Sequence, residues 1–421
     1  MLKRLKNQRG IALILVMSFI LFLTIIVFDF WNDAQMGHQL ASNYRARMQA
    51  YYLAKSAVNF SKLLLYFNKK LESMMAQHKV KAGDVGFEPL YKQIPVNSGA
   101  IRALLAAPSS SSSAEAPPEA DEGEAEEGGE KKSLMEEANS GVGLLQKGDV
   151  ETFLSFEGDF DAEISEEQSK YSLNAVSKMV STSASYDLHK KILLSMLMQP
   201  QFKVFFENQE YDAILLVHAL ADFVDNNTNI NEFDKVERGS EDSVYGSVEY
   251  RIKDAPYLSV SELRLVAGMS DDILELLRPM VTVYHPSDKI NICLAEQSVV
   301  DALIVHFTHV SECTTPIDLE EEKDKEDLAK LRDEMLSFCP DSSGVASAFN
   351  SALGIQSTTN QTEEGGTGCK IEFKDLITDG NDIFRIKSTG SVKGVTTTVT
   401  VVIDTSPGNV KDWNILYYQV D

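Results

Sequence analysis

The chain has 421 residues, of which 43% are apolar, so it can bury at least one hydrophobic core. Its 63 acidic residues exceed its 39 basic ones and give a formal net charge of −24. A charge of this sign repels nucleic-acid phosphates and anionic lipid surfaces. The composition therefore argues for a folded protein that does not bind DNA or RNA.

The N-terminal segment has the pattern of a membrane anchor. Residues 1–10 contain four basic residues and no acidic one, and the 18 residues from Ile11 to Phe28 contain no charge. Such a run crosses most of a bilayer, and the basic residues before it predict a cytoplasmic N-terminus with an exported chain after Asp29. No A-x-A-like cleavage site follows Phe28, which argues against an ordinary cleaved signal peptide.

The helical pattern continues beyond this apolar run. No proline and only one glycine, Gly37, interrupt the sequence from Ile11 to Leu71. One helix over 11–71 would be about 90 Å long at 1.5 Å per residue. Its second half is predicted to be amphipathic, with large apolar residues three or four positions apart. These residues are Met36, Leu40, Tyr44, Met48, Tyr51 and Tyr52.

A long polar segment follows the first helix. From Pro108 to Glu130 the sequence is rich first in serine and then in alanine, proline and glutamate. Because such a segment has nothing to bury, residues 106–140 are predicted to form a disordered acidic insertion.

Residues 171–286 are predicted to be mainly helical. Ser259 with Glu262 has the spacing of a capping box, and Ser270 precedes two acidic residues that suit the positive end of a helix. Four segments have apolar residues at helical spacing: Tyr186 to Met198, Gln209 to Val224, Ser259 to Val266 and Ser270 to Leu277.

Strand patterns dominate the C-terminal part, with a hairpin turn predicted at Lys393-Gly394. A charged helix is predicted over 317–339. The predicted strands are Val150 to Phe156, Phe160 to Ile164, Ile371 to Phe373, Ile383 to Lys387, Thr396 to Ile403 and Trp413 to Val420. The predicted fold class is α+β: a long N-terminal helix packed on a small antiparallel sheet, with a large all-helical domain inserted.

The loop after the predicted helix Gln209 to Val224 is the candidate metal site. Asp225, Asn227 and Asn229 alternate along it, and Glu241 and Asp242 follow a glycine. Hard cations such as Ca²⁺ take six to eight oxygen ligands, which such residues supply. The same pattern also suits an Asx-rich turn that closes a helix. The residues alone leave both interpretations open.

Four cysteines lie in the last third of the chain: Cys293, Cys313, Cys339 and Cys369. They allow three pairings, and no CxxC spacing indicates zinc. Two disulfides are expected in an oxidising compartment, and buried thiols in the cytosol. No HExxH, GxSxG or P-loop motif is present, so the chain is not expected to be an enzyme.

Several segments together resemble the K class of type II secretion minor pseudopilins, the GspK family. The basic leader that ends at Gly10 and the Ile11 to Val16 run are similar to a prepilin signal. Further segments that resemble the family are Asn43 to Ala54, Ser169 to Ala175, Tyr257 to Met269, Lys289 to Ala295 and Phe384 to Gly390.

The resemblance implies cleavage between Gly10 and Ile11 by the prepilin peptidase, with methylation of the new N-terminus. Leu15 then occupies the fifth mature position, where most of the superfamily has glutamate. That glutamate is thought to pair with the N-terminal amine of the subunit above, which offsets the cost of burying both charges. An apolar residue there suits a subunit that has no neighbour above it.

The resemblance also implies the domain organisation. Residues 1–10 are the leader, and 11–75 form the transmembrane and amphipathic helix. Residues 76–170 begin the pilin-like domain, 171–286 form the inserted α-domain, similar to SAM and helix-hairpin-helix folds, and 287–421 complete the β domain with its charged helix. Three acids from Asp271 to Glu275 lie where a DNA-binding hairpin needs basic residues, which favours a protein-facing hairpin.

The predicted function is a minor pseudopilin at the tip of a periplasmic pseudopilus. The chain is expected in the inner membrane with its C-terminal domain in the periplasm. Its expected partners are GspI, GspJ, GspH and the major pseudopilin, and the family resemblance supports calcium as a ligand of Asp225, Asn227, Asn229, Glu241 and Asp242. The alternative is a signal-anchored periplasmic binding protein or hydrolase that is unrelated to pili.

Overall fold

The structure is a computed structural model that describes residues 8–77, 89–106, 156–206, 209–245, 250, 252–285, 287–310, 316–353 and 373–421. Apart from its first residue, the predicted acidic insertion lies outside these ranges. The predicted strand Val150 to Phe156 also lies outside them, except for Phe156, which is not in a strand.

The described chain contains both helices and strands. The helices are α1 (Gln8–Gln77), α2 (Leu90–Gln93), α3 (Ser98–Ala106), α4 (Ala184–Leu197), α5 (Gln209–Asp222), α6 (Asp242–Tyr245), α7 (Asp271–Leu277), α8 (Gln297–Val310), α9 (Glu322–Leu336), α10 (Ser342–Ala352) and α11 (Phe373–Leu376). The strands are β1 (Val96–Asn97), β2 (Asp159–Glu166), β3 (Tyr171–Ser172), β4 (Asn229–Asn231), β5 (Glu237–Ser240), β6 (Val281–Thr282), β7 (Ile383–Val392), β8 (Val395–Asp404) and β9 (Asn414–Val420).

The main sheet has five strands in the order β1-β2-β7-β8-β9, and all of its pairs are antiparallel. The tight turn between β7 and β8 is at Lys393 and Gly394, with φ values of 51° and 81°. Positive φ at both central residues is the geometry that lets a two-residue hairpin follow the twist of its strands. The predicted hairpin is confirmed.

Helix α1 packs on the sheet through a face of small residues. Ala46, Ala50, Ala54 and Ala57 are buried there, with Leu65 further along the helix. This is not the face of large apolar residues that the periodicity emphasised. Residues such as Leu40 and Tyr44 point away from the sheet and are 73% and 68% exposed.

Small side chains matter because the helix and sheet backbones approach closely. Ser388 on β7 donates a hydrogen bond to the carbonyl oxygen of Ala54, at 3.0 Å. A Cβ atom added to Gly390 would overlap the carbonyl oxygen of Ala50 and lie 2.9 Å from the Ala54 nitrogen. Glycine at position 390 is therefore a condition of the helix–sheet contact.

A helical layer is inserted between β2 and β7 and has its own core. Helix α7 starts after Ser270 and α5 starts at Gln209, as the sequence predicted. The Ser183 and Ser270 side chains accept hydrogen bonds from the backbone nitrogens of Tyr186 and Ile273 and so cap α4 and α7. The Ser259 motif forms a 3-10 turn, Val260–Leu265, in which Leu263 is completely buried. The predicted α+β class is confirmed.

The helical layer continues past the predicted boundary at residue 286. Helix α8 packs on α4, and Val299 and Leu303 are completely buried in the same core as Leu216. Helices α9 and α10 extend this core, which reaches Ile377. Most of residues 287–377 therefore belong to the helical layer, because their helices contribute buried apolar side chains to its core. Phe373, predicted to end a strand, begins the short helix α11.

A buried ion pair joins the helical layer to the sheet. The Glu167 side chain is completely buried, pairs with Arg385 on β7 and lies 3.6 Å from the Lys170 ammonium. Burial opposes ionisation of Glu167, but Lys170 and Arg385 outweigh burial and lower its pKa. Glu167 therefore stays charged and links the two layers.

The helical layer attaches at the end of the sheet farthest from the apolar N-terminal segment. Ala50 lies against Gly390, whereas Lys69 pairs with Asp382, so α1 and β7 run in opposite directions. Glu166 at the end of β2 pairs in register with Phe384, near the start of β7. The inserted layer thus leaves the sheet beside the C-terminal part of α1.

Replacing Gly390 with alanine is expected to lower the free energy of unfolding by about 3 kcal/mol, because the new methyl group must push α1 from the sheet. Thermal unfolding of the detergent-solubilised chain measures this loss. Gly37→Ala is the matched control, since a Cβ there meets nothing within 4 Å. Equal stability of the two variants would contradict the close-packing account.

Candidate functional site

Three acidic side chains converge where α5 ends. Asp222 is the last residue of α5, Asp225 follows in the turn, and the hairpin of β4 and β5 brings Glu241 back beside them. One carboxylate oxygen from each of the three lies within 4.8 Å of the others, and all three residues are buried. We call Asp222, Asp225 and Glu241 the acidic cluster.

Neighbouring donors satisfy only part of the acidic cluster. The Asn231 side-chain amide donates to Asp222 Oδ1 at 3.1 Å and to Asp225 Oδ2 at 2.7 Å. The Tyr186 hydroxyl also donates to Asp225 Oδ2, at 2.9 Å. Among the described residues, neither Glu241 carboxylate oxygen has a hydrogen-bond partner, nor does Asn231 Oδ1. Unpartnered buried acceptors of this kind are costly unless something else satisfies them.

Burial and mutual repulsion make ionisation of the acidic cluster unfavourable. The pKa of Asp222 is raised to about 7, mainly by burial. The pKa of Glu241 is raised to about 9, first by burial and then by Asp222, Asp225 and Asp254. Burial also raises the pKa of Asp225 and of Asp254. The cluster therefore needs protons or a cation.

A buried lysine holds the loop that carries Asn231. The Lys190 ammonium donates to the backbone oxygens of Asn231 and Glu232 at 2.7 and 2.9 Å, and its pKa is lowered by burial. The ring centroids of Tyr186 and Phe233 lie 5.0 and 4.9 Å from the Lys190 Nζ atom. Lys190 thereby positions the β4 backbone without pairing directly with the cluster.

The oxygen donors fit a hard cation. Three carboxylates and the free Asn231 amide oxygen converge on one buried place, and carboxylate and amide oxygens are the ligands that Ca²⁺ prefers. Backbone oxygens and water would complete its six to eight ligands. A divalent cation would also offset the repulsion that raises the carboxyl pKa values.

The structure brings together two of the five predicted metal ligands, Asp225 and Glu241. Asn227 instead accepts a hydrogen bond from the Asn229 backbone nitrogen at 2.8 Å, as in an Asx turn. The Asn229 and Asp242 side chains are exposed. Thus the loop contains Asx turns as well as a carboxylate cluster.

Sequence reasoning missed Asp222 as a member of the acidic cluster because Asp222 belongs to the end of a predicted helix. Sequence reasoning also missed Asn231 and Asp254. Asn231 comes after the predicted ligands Asp225 to Asn229, and Asp254 lies well beyond Asp242 in the chain. The available signal was the helical register, which places Asp222 one turn before Asp225 on the same face of the chain.

The other predicted site residues lie apart from the cluster. Gly10 and Ile11 are in the first turns of α1, and Leu15 lies in its apolar segment, 66% exposed. Cys293 and Cys339 form a disulfide that ties the start of α8 to the end of α9. Cys313 and Cys369 lie outside the described residues.

The segment that contains the acidic cluster matches a known family. Residues 169–286 match the family model described as "Type II secretion system (T2SS), protein K". The matched segment has 118 of the 421 residues. The predicted resemblance to the K class of type II secretion minor pseudopilins is thereby confirmed. That family is a structural component of the secretion system.

One solved structure similar to this chain is the crystal structure of the GspK-GspI-GspJ complex from the enterotoxigenic Escherichia coli type 2 secretion system. The sequence identity is 16% and the TM-score is 0.41, and the match covers 69% of this chain and 94% of that one. No curated protein matches the chain. The family match, and not this distant likeness, supports the assignment.

We expect the metal-free protein to lose thermal stability as pH rises from about 4 to about 9. The folded-state pKa values of Asp222 and Glu241, about 7 and about 9, exceed those of an unfolded chain. Their contribution is therefore complete at low pH and is lost as pH rises through these values. Thermal unfolding in chelator, as a function of pH, measures it.

Two variants separate the acidic cluster from other titrating groups. Glu241→Gln is expected to flatten the decline above about pH 8, because the amide cannot ionise. Asp242→Asn is expected to change the profile much less, because Asp242 is exposed and contributes less than Asp222, Asp225 and Asp254 to the raised pKa of Glu241. A wild-type unfolding midpoint that stays constant or rises over this range would contradict the raised pKa values.

Proposed function

We propose that this protein is a minor pseudopilin that initiates the periplasmic pseudopilus and caps its tip, and so supports export of folded proteins. The observation that supports this role is the place of the helical layer. It attaches beside the C-terminal part of α1, at the end of the sheet farthest from the apolar segment Ile11 to Phe28. In a fibre of parallel subunits, that bulk would occupy the position of the next subunit.

The apolar anchor fits a subunit with nothing above it. Each subunit of a pilus-like fibre buries its N-terminal helix among neighbours, and a carboxylate there needs the amine of the next subunit. Leu15 requires no such partner. The absence of charge from Ile11 to Phe28 agrees with a subunit whose helix meets no amine from above.

The N-terminal helix supports a single-pass membrane anchor. By length and composition, the described chain contains one helix that could cross a membrane, and its apolar window is fully exposed in the protein. We propose an N-terminus in the cytoplasm, since the basic residues precede the apolar run. The exported domain would lie in the periplasm, an oxidising compartment where the Cys293–Cys339 disulfide persists.

We further propose that the prepilin peptidase cleaves between Gly10 and Ile11 and that the mature chain assembles with GspI, GspJ, GspH and the major pseudopilin. The GspK of the similar crystal structure forms a complex with GspI and GspJ. In this chain, the exposed apolar residues of α1 after the anchor offer a surface for such helix packing. Phe30, Leu40 and Tyr44 are the most exposed of them.

Assembly and processing can be tested on the full chain co-expressed with GspI and GspJ. We expect mass spectrometry to find a methylated Ile11 at the N-terminus and affinity capture to recover both partners. Leu15→Glu should lower recovery of the complex by about tenfold or more, because it buries a carboxylate without a counter-charge. Quantitative capture from detergent measures this loss.

Leu15→Gln is the matched control, since it adds a polar group of similar size without the charge. We expect it to reduce assembly much less. Full assembly and secretion by Leu15→Glu would contradict the tip position. An intact Met1 and no recovered partner would favour the alternative, a signal-anchored periplasmic binding protein or hydrolase.

We also propose that the acidic cluster binds calcium. Asp222, Asp225 and Glu241 would provide carboxylates, and Asn231 an amide oxygen, while Lys190 holds the loop in place. The bound ion would replace the protons that otherwise keep the cluster neutral. It would thus fix the hairpin of β4 and β5 against α5 in the periplasm.

Calcium should raise the midpoint of thermal unfolding of the full chain, and a chelator should lower it again. At a calcium concentration about 100 times the dissociation constant, the stabilisation is about 2.7 kcal/mol. Glu241→Gln should abolish most of the shift, whereas Asp242→Asn, which alters an exposed neighbour, should retain it. A calcium-independent midpoint in the wild type would remove the cluster from the list of metal sites.

A further inference from the structure

Strand β9 forms an open edge of the sheet. It is last in the strand order, and no described residue pairs with its outer side. Its sequence, Asn414 to Val420, contains no charged residue and no proline. Leu416, Tyr418 and Val420 are 39%, 45% and 42% exposed. The edge therefore combines free backbone groups with exposed apolar side chains.

The ladder register shows which backbone groups face outward. Thr398 and Asp421 exchange two backbone hydrogen bonds, of 3.0 and 2.9 Å. In an antiparallel pair such residues alternate with residues whose N–H and C=O groups point away from the partner strand. Val420 opposite Val399 and Tyr418 opposite Val401 are in that outward-facing class. Both therefore offer a donor and an acceptor at the open edge.

Proteins usually protect such an edge. Lysine or proline on the strand, a bulge or a covering segment prevents pairing with another chain. The single register shift of β9, between Val402 and Ile403 on its partner, leaves the Tyr417 to Val420 part regular. That regular part has none of these protections among the described residues.

The edge is continuous with the exposed side of α1. The Tyr51 hydroxyl lies 3.1 Å from the Tyr418 hydroxyl, and the Tyr51 ring contacts the Tyr52 ring. Tyr52 and Tyr44 are exposed on the same part of the helix. The free strand edge thus borders the surface that the proposed assembly assigns to neighbouring subunits.

We propose that β9 accepts an extended strand from a neighbouring minor pseudopilin, which pairs with the outward backbone groups of Tyr418 and Val420. This inference rests on the proposed assembly with GspI and GspJ. A packed helix would cover the apolar side chains but leave these N–H and C=O groups unpaired, whereas a strand satisfies both. The added strand would have uncharged side chains at alternate positions, to match Leu416, Tyr418 and Val420.

A neighbouring subunit of a different kind suits this edge better than a second copy of the same chain. Two copies would each bring a net charge of −24, which opposes their approach. The edge itself is neutral, so its contact with a different subunit does not depend on charge pairing.

Hydrogen exchange of the backbone amides tests the proposal directly. We expect the Tyr418 and Val420 amides to exchange fast in the full chain alone and at least tenfold more slowly in its complex with GspI and GspJ. The Gln419 amide, which faces β8, is an internal control and should be slow in both. Mass spectrometry with residue-level fragmentation resolves the three sites.

Variants separate strand pairing from packing of side chains. Val420→Pro removes the outward N–H, whereas Val420→Ala keeps it and removes most of the side chain. We expect Val420→Pro to weaken recovery of the complex about tenfold and Val420→Ala about threefold or less. Thr396→Lys, an exposed change on β8 away from the open edge, is a control and should bind normally.

The outcomes distinguish this proposal from the assembly on which it rests. A complex that forms with fast exchange at Tyr418 and Val420, or with equal losses for Val420→Pro and Val420→Ala, would overturn strand addition but leave the assembly intact. Protection of these amides in the chain alone would indicate self-pairing and would also overturn it. Failure to form any complex would overturn both. Equal unfolding midpoints for the variants and the wild type show that each remains folded.

Discussion

The close contact between α1 and the central strands is the constraint on which the rest of the structure depends. Four buried alanines and Gly390 let a helix backbone lie almost directly on a strand backbone, close enough for Ser388 to bond to a helix carbonyl. This contact needs no large side chain on the facing side of the helix. Large apolar residues on the exposed side of α1, such as Leu40 and Tyr44, are therefore free for other surfaces.

The same contact fixes the direction of the molecule. Because α1 and β7 run in opposite directions, the end of β2 and the start of β7, between which the helical layer is inserted, lie beside the C-terminal part of the helix. The helical layer grows from that end and is held by Glu167, whose buried charge is paired with cations from both layers. The packing of α1 on the sheet therefore places the apolar N-terminal segment at one end of the molecule and the helical layer at the other.

The two functional surfaces differ in how they depend on other molecules. The acidic cluster is a buried concentration of negative charge, so its stability depends on protons or a cation. The edge of β9 is neutral and stable by itself, but leaves backbone groups and apolar side chains uncovered. In the proposed assembly, the acidic cluster would respond to the cations of its compartment, and the β9 edge to the presence of a neighbouring subunit.

Local patterns in the sequence determined the elements whose cause is local. The long helix follows from an uninterrupted apolar run without proline, the β7–β8 turn from Lys393-Gly394, and the helix starts from Ser183 and Ser270. The family could likewise be recognised from short segments, because each segment keeps its own residue pattern.

Only the tertiary structure decided which of these elements meet. In the folded protein the alanine face of α1 contacts the sheet and the face with Leu40 and Tyr44 is exposed, because the helix backbone lies directly against Gly390. The tertiary structure also added Asp222 and Asn231 to the acidic cluster, left Asn229 and Asp242 in solvent, and placed helices beyond residue 286 in the helical core. Sequence periodicity shows that a face is apolar or a loop acidic, but the choice of partner depends on contacts between residues far apart in the chain.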